Sequence, residues 1–497
     1  MQLSGYSLSF DEFRALASQG NLIPLYKEIL ADVETPVSAF TKIDHGPSAY
    51  LLESVEGGEN WARYSFLGSG SPVVIREDKG EVAIVRGSKV RRLPMGGNPL
   101  DRIKEILETY QPVTVPGLPR FVGGAVGYLG YDVVRSFEDI PARRKDALGL
   151  PEFAFLITDT LLIFDNVAQT IKVVANAHVA SAKDGDLRRA YADAIKRIEG
   201  MIARLRRPLR RTKPKRRHTP LTFTSNMSRA DFEKMVTRSK DYIKAGDIFQ
   251  VVLSQRLQTE TKARPFDIYR TLRVVNPSPF MFYIKAGPLC LVGSSPEIMV
   301  RVEGDRVLIR PLAGTRRRGK TEEEDERLAA ELLADPKERA EHIMLVDLGR
   351  NDVGRVARYG TLQLSDVMAI ERYSHVMHLC STVSGRLQEG KTAFDALRAC
   401  LPAGTLSGAP KVRAMEIIDE LEPQRRGPYG GAVGYIDFSG NMDTCIALRT
   451  LVLNGQTAYI QAGAGIVADS VPETEREETL NKAMGLLRAL EIAETQL

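Results

Sequence analysis

Cysteine is scarce in this 497-residue chain: Cys290, Cys380, Cys400 and Cys445 are the only four, and they stand far apart. No two share the CxxC spacing, so neither a zinc site nor a disulfide framework is expected, and a reducing compartment, the cytoplasm, fits best. Long apolar runs are missing as well. Nothing approaches the roughly 20 residues needed to cross a bilayer, and the opening MQLSGYSLSFDEF lacks the basic and apolar blocks of a secretion signal. No membrane association is expected. The sequence has no GxSxG and no GxxxxGK[ST], which removes the serine-hydrolase elbow and the P-loop. PAGTLSGAPK carries glycines and Lys411 without P-loop spacing. The net charge of +5 is too small to imply nucleic acid by itself.

What remains is the composition of a globular chain, 43% hydrophobic and 26% charged, long enough for about two to four domains. Residues 1–205 alternate strand-like runs (SAYLLESVE, SPVVIRE, EVAIVRG) with amphipathic helices at PLDRIKEILETY and RRAYADAIKRIEGMIARL. Residues 206–220, RRPLRRTKPKRRHTP, combine three prolines with dense basic charge. No aromatics interleave, so this reads as a solvated linker rather than a nucleic-acid arm. From 221 to 497 strand-like runs (IFQVVLSQRL, FMFYIKAG, TAYIQAGAGIV) mix with helices expected from Thr321, Asp335 and Thr474. Many strands with separate helices predict an α+β fold with largely antiparallel sheets. Interleaving of the two parts across 206–220 stays open. The hexapeptide GGAVGY occurs twice, at 123–128 and 430–435. Strand-like sequence follows each copy, so both are read as glycine-rich strands facing a close neighbour, not as dinucleotide loops.

Several residues carry chemistry. PLAGTRRRG, 311–319, places Gly314 and Thr315 among arginines, as an anion-holding loop would. Asp335 and Pro336 suit an N-cap and first helical position. Glu338 then either completes a capping box or joins Glu341 on one face. Met344, Leu345 and Leu348 surround Glu341 on a helix that reads as apolar nearly all round, hence buried, so Glu341 requires a cation or donors. In TEREETLNKAMGLLRAL, Thr474 and Glu477 form a capping-box pattern. Glu475 and Glu478 share a face with Lys482, opposite Leu480, Met484 and Leu487; alone this is an ordinary amphipathic helix. Two acidic pairs without a matching His or Cys set suit Mg²⁺. Gly463–Gly465 is either a tight turn or a place where backbone N–H groups meet a ligand. Arg449, inside the apolar CIALRTLVL, requires an anionic partner. Neither His375 nor His378 can be preferred from the residues alone. The residues end at a Mg²⁺-assisted enzyme for a small anionic substrate.

PLAGTRRRG, ERAEHIMLVDLGRND, SHVMHLCSTVSG, LPAGTLSGAPK, GAVGYIDFSG and GAGIVADSVPETEREETLNKA follow in one order, and in that order the chain resembles the chorismate-utilising enzymes, in particular the anthranilate synthase component I family. The likeness is strong from Phe223 onward and looser before it. It implies two packed antiparallel sheets flanked by helices, with an N-terminal regulatory portion. It implies that Glu341 and Glu478 bind Mg²⁺, supported by Glu338 and Glu475. Gly314, Thr315, Tyr429, Arg449, Gly463, Ala464, Gly465 and Lys482 would contact chorismate, with Glu297 as the general acid and His378 as a catalytic histidine. Relatives that aminate ring carbon 4, the aminodeoxychorismate synthases, carry lysine where Ala313 stands, and relatives that add water carry a lysine base where Gln250 stands. Both departures point to ammonia at carbon 2 and to anthranilate plus pyruvate as products, a lyase reaction of tryptophan biosynthesis. Aminodeoxychorismate synthase component I is the alternative. Glu53 and Ser54 with Pro279, Phe280 and Met281 match the family's tryptophan feedback site. The chain has no GxCxGxQ elbow, so ammonia is expected from a separate glutaminase subunit, component II, in a heterotetramer of two chains of each kind.

Overall fold

The computed structural model describes residues 5–54, 63–209, 221–373 and 376–497. Two antiparallel sheets of twelve strands each form its centre. In the first, strands Leu22–Leu30, Thr170–His178, Thr160–Asp165, Tyr64–Ser69 and Ser48–Glu53 run on into Phe280–Ala286, Leu289–Ser295, Thr450–Asn454, Thr457–Ile466 and Gln250–Glu260. The second joins Leu312–Arg317, Val376–Arg386, Arg306–Ile309, Ile298–Glu303, Met442–Ile446 and Ala432–Asp437 to Gly124–Leu129, Phe153–Thr158 and the meander Val73–Pro94. Residues 1–205 and 221–497 therefore share both sheets, and neither owns one. Of the linker, only 206–209 lie within the described residues.

Phe280–Ala286 shows why these strands read as unbroken apolar runs. Met281 and Tyr283 enter a core shared with helices Asp184–Leu205, Pro265–Val275 and Pro472–Gln496. Phe282 and Ile284 enter a core between the sheets, with Val126, Tyr128 and Val433 from the other sheet. Alternate side chains point to opposite faces, and both faces are buried. Helices Pro99–Leu107, Pro336–Gly354 and Ala393–Cys400 cover the outer face of the second sheet.

The two GGAVGY copies pair with each other: Gly124–Leu129 lies antiparallel to Ala432–Asp437, with Gly127 opposite Gly434. A Cβ on Gly127 would stand 1.9 Å from the Ala154 carbonyl oxygen, and one on Gly434 2.1 Å from that of Asp443. The glycines are there because neighbouring backbone fills the side-chain space.

Two helix expectations need correction. Pro336–Gly354 is capped by Asp335, whose carboxylate accepts from the Lys337 and Glu338 amides. It is not buried all round, since Ile343 is half exposed and only the face of His342, Leu345, Val346, Gly349 and Val353 is covered. The apolar letters outnumber what one contact face can bury. The last helix starts at Pro472 after Val471, not at a Thr474 cap, because proline is pre-set for the first turn. Its buried stripe is Thr479, Ala483, Leu486, Leu490 and Ala493; Met484 faces outward.

Candidate active site

The chain crosses between the sheets at two adjacent links. Pro296–Glu297 joins Leu289–Ser295 of the first sheet to Ile298–Glu303 of the second, and Ala447–Arg449 returns from Met442–Ile446 to Thr450–Asn454. The links are tied together: the Ser294 amide donates to the Arg449 carbonyl at 3.1 Å, and the Ile446 amide to the Glu297 carbonyl at 3.0 Å. Arg449 takes a left-handed conformation, φ 48°, and is half-buried. It is thus in a link and not inside a strand as expected. CIALRTLVL spans the end of one strand and the start of another, and hydropathy does not register a change of sheet.

Glu297 is buried at this junction. Burial pushes its carboxyl up to about 8, while the Thr405 hydroxyl, the Leu312 backbone and the Arg449 charge pull it back. A carboxyl placed so carries a proton near neutrality. His378, on Val376–Arg386, is also buried. Its Nδ1–H donates to the Gly314 carbonyl at 2.8 Å, and the Thr315 hydroxyl lies 3.2 Å from the same nitrogen. Burial, aided by the Arg449 charge, lowers its pKa, so the ring is neutral and Nε2 carries the lone pair. Tyr373 packs against the ring at 5.6 Å. His375 lies outside the described residues.

Gly314 and Thr315 form a bulge: the pairing of Leu312–Arg317 with Val376–Arg386 shifts register between Ala313 and Arg316, and Gly314 has φ 66°. The arginines around it do not make the anion loop that the sequence suggested. Arg310 pairs with Glu371 at 2.7 Å, Arg316 with Asp335 at 2.8 Å and Glu338 at 3.0 Å, and Arg318 with Asp325 at 2.7 Å. Glu338 thus pairs with Arg316, and the helix has no capping box.

Helices Pro336–Gly354 and Pro472–Gln496 bring Glu341 within electrostatic reach of Glu478. Burial raises the Glu341 carboxyl; Glu338 and Glu478 raise it further, against Gln250 and Lys482. Glu475 is raised by burial and by Glu478, against Ser470. Lys482 sits between the elements, 2.6 Å from Glu478 and 3.1 Å from the Gly463 carbonyl. Among the described residues no three acidic, His or Cys side chains converge as a ready metal cluster. The donors are nonetheless all carboxylate oxygens, and Glu341 is held in like-charge company that a hard cation would relieve. The residue set fits Mg²⁺ in kind.

Gly463–Gly465 lies within Thr457–Ile466 rather than in a turn, paired on one edge with Val252–Ser254. On the other edge the neighbouring strand pairs only as far as Ile460, which leaves that edge open along 461–466. A Cβ on Gly463 would meet the Tyr429 hydroxyl at 2.8 Å, and one on Gly465 the Gln250 side-chain nitrogen at 2.6 Å. Tyr429 is buried against the Arg426 guanidinium. Bulge, glycine strand, two links and two helices so surround one polar region at an end of the sheets.

A second cavity lies elsewhere along the interface of the sheets. Glu53, Ser54, Pro279, Phe280 and Met281 all line it, with Phe66, Tyr435 and the Arg301–Asp443 pair. Glu53 is buried, accepts from the Tyr269 hydroxyl and pairs with Arg273 at 3.2 Å. The sequence reading missed Arg273, Arg316, Thr405 and the buried Asp352–Lys411 pair. Arg316 had a signal, its place in a basic run facing an acidic helix; the others had none, because their partners are distant in the chain.

A buried acid and a neutral imidazole beside a carboxylate cluster, set at the junction of two large antiparallel sheets, define a class: an enzyme acting by proton transfer on a small polar substrate. Comparison with known proteins narrows it. A family model described as chorismate binding enzyme matches residues 49–488. The chain is 51% identical to anthranilate synthase component 1 of Acetivibrio thermocellus over 98% of each chain, and 48% identical to that of Aquifex aeolicus, again over 98% of each. It superposes on anthranilate synthase component I from Streptococcus pneumoniae with TM-score 0.76, 38% identity, and coverage of 93% and 99%. The menaquinone-specific isochorismate synthase from Escherichia coli, 18% identical with TM-score 0.69, shares the fold. The chain belongs to the anthranilate synthase component I family of chorismate-binding enzymes. Among the described residues no helix is long and apolar enough to cross a membrane.

Proposed function

We propose that this chain converts chorismate and ammonia to anthranilate and pyruvate. The observation that carries the reading is Glu297, a buried carboxyl held protonated near neutrality at the end of the sheets where the other site residues gather. Chorismate loses a hydroxyl from ring carbon 4, a poor leaving group that requires an acid. Glu297 delivers its proton to that oxygen as ammonia adds at carbon 2. The neutral His378, fixed through Nδ1 by Gly314, offers Nε2 as acceptor for a proton released when the ring becomes aromatic and pyruvate departs. Tyr429, Arg449, Lys482, the Gly314–Thr315 bulge and the open edge of Gly463–Gly465 orient the substrate. Glu341 and Glu478 would hold Mg²⁺, with Glu338 and Glu475 beside them. The bound ion would neutralise charge on the ring carboxylate.

Two positions support attack at carbon 2. Ala313 offers no nucleophile for carbon 4, and Gln250 cannot activate water. Ammonia comes from a separate glutaminase subunit, in a complex of two chains of each kind, because this chain has no amidotransferase elbow. Tryptophan binds the cavity of Glu53, Ser54, Pro279, Phe280 and Met281 and inhibits. The test is anthranilate fluorescence from the purified chain with chorismate, Mg²⁺ and ammonium at mildly alkaline pH, with and without tryptophan. Anthranilate that falls on adding tryptophan supports both parts; a product that a lyase converts to p-aminobenzoate overturns the first.

A further inference from the structure

Once Glu297 has given up its proton it is a buried carboxylate that must be recharged before the next turnover. Beside Glu297 lies a small cavity of about 30 Å³, lined by Glu297, Thr405, Arg310, Leu345, Leu348 and Asp352. A water needs about 10–15 Å³ of such space and two to four polar partners, so one or two waters fit. Asp352 supplies one partner: its side chain is 5% exposed, Oδ2 pairs with Lys411 Nζ at 2.6 Å, and Oδ1 is buried without a hydrogen bond among the described residues. The Thr405 hydroxyl and the Glu297 carboxyl supply the others. Lys411, first residue of helix Lys411–Leu421, is 9% exposed.

We infer that Asp352 and Lys411 form, through water in this cavity, the relay that returns a proton to Glu297 after each turnover. The inference rests on the reaction proposed above. The Glu297 carboxylate takes a proton from the cavity water as that water takes one from the Asp352–Lys411 pair. Lys411 then recovers a proton from solvent. The proton so consumed is matched by the one lost from the added nitrogen. The charged and titratable groups that bear on the relay are few: Arg449 on Glu297, Lys411 and Arg355 on Asp352, the Cys400 thiol beside that pair, and Arg310 in the cavity wall. Burial raises the Asp352 carboxyl, against the Lys411 and Arg355 charges, so it accepts a proton from its partner more readily than an exposed carboxylate would. Asp352 and Lys411 are positioning residues, acting through Glu297 and not on substrate.

The test is rapid mixing of the full chain with chorismate, Mg²⁺ and ammonium, read by anthranilate fluorescence in wild type, Asp352→Asn and Lys411→Met. The relay predicts a first equivalent of anthranilate at the wild-type rate in both variants, followed by turnovers slowed by about tenfold or more. First and later turnovers slowed alike, or no slowing at all, would overturn it. If Asp352→Asn does not fold, Lys411→Met decides by the same burst. If wild type makes no anthranilate, the proposed reaction fails, and infrared spectroscopy tests the coupling by itself: the Glu297 carboxyl band, identified by its loss in Glu297→Gln, moves in Asp352→Asn if water links the two groups and stays if it does not.

Discussion

Replacing Glu297 with glutamine keeps the shape of the side chain and removes its proton chemistry, and the outcome can be worked out from its burial. The carboxyl rises from its ordinary 4.5 to about 8 in the folded protein. Between those values the folded chain holds a proton that the unfolded chain has released, so stability is full below pH 4.5, falls as pH rises through the window, and levels above pH 8. At ~1.4 kcal/mol per pH unit the fall reaches at most about 5 kcal/mol. Glutamine has no proton to lose. Glu297→Gln should therefore match wild type in denaturant unfolding near pH 5 and exceed it by a few kcal/mol near pH 8.5, while anthranilate formation drops by about 10²–10⁴ at both. Wild type should lose activity on an alkaline limb near pH 8. Unfolding curves that stay parallel across pH would refute the claim that Glu297 is held protonated by burial.

Glu341→Gln removes a carboxylate from the acidic cluster and should abolish turnover at any Mg²⁺ concentration, with unfolding no less resistant to denaturant, since the buried charge is lost; calorimetric Mg²⁺ titration in the presence of chorismate should show weakened binding. Ser54→Phe fills the second cavity and should keep anthranilate formation while raising the tryptophan concentration for half-inhibition by about tenfold or more; unchanged inhibition would place tryptophan elsewhere. Gly434→Ala forces a Cβ to 2.1 Å from the Asp443 carbonyl oxygen at φ 155° and should cost about 3 kcal/mol or more, read as a fall in melting temperature.

Much of the candidate site was legible because it lies in short segments with unusual letters. Asp335-Pro336 fixed a helix start, and from it Glu338 and Glu341 fell on one face. The repeated GGAVGY marked strands with no room for side chains, although that the two copies pair with each other could not be read from either. Illegible features depend on contacts distant in sequence. The sharing of both sheets by residues 1–205 and 221–497 is one. Another is the crossing of CIALRTLVL from sheet to sheet, which turns Arg449 from a charge in a strand into a charge on a link beside Glu297. The arginines after Gly314 misled for the same reason: their partners Asp335, Glu338 and Asp325 stand on helices whose approach no local pattern records.

Nitrogen is expected to enter the ring at carbon 2, and ¹⁵N-labelled ammonium tests this. The chain is supplied with chorismate, Mg²⁺ and the labelled salt, and the product is examined by NMR without a coupling enzyme. The expected product is an aromatic ring with the label on the carbon next to the carboxylate, and one pyruvate released for each. Label on carbon 4 of a ring that still carries its enolpyruvyl group would contradict it.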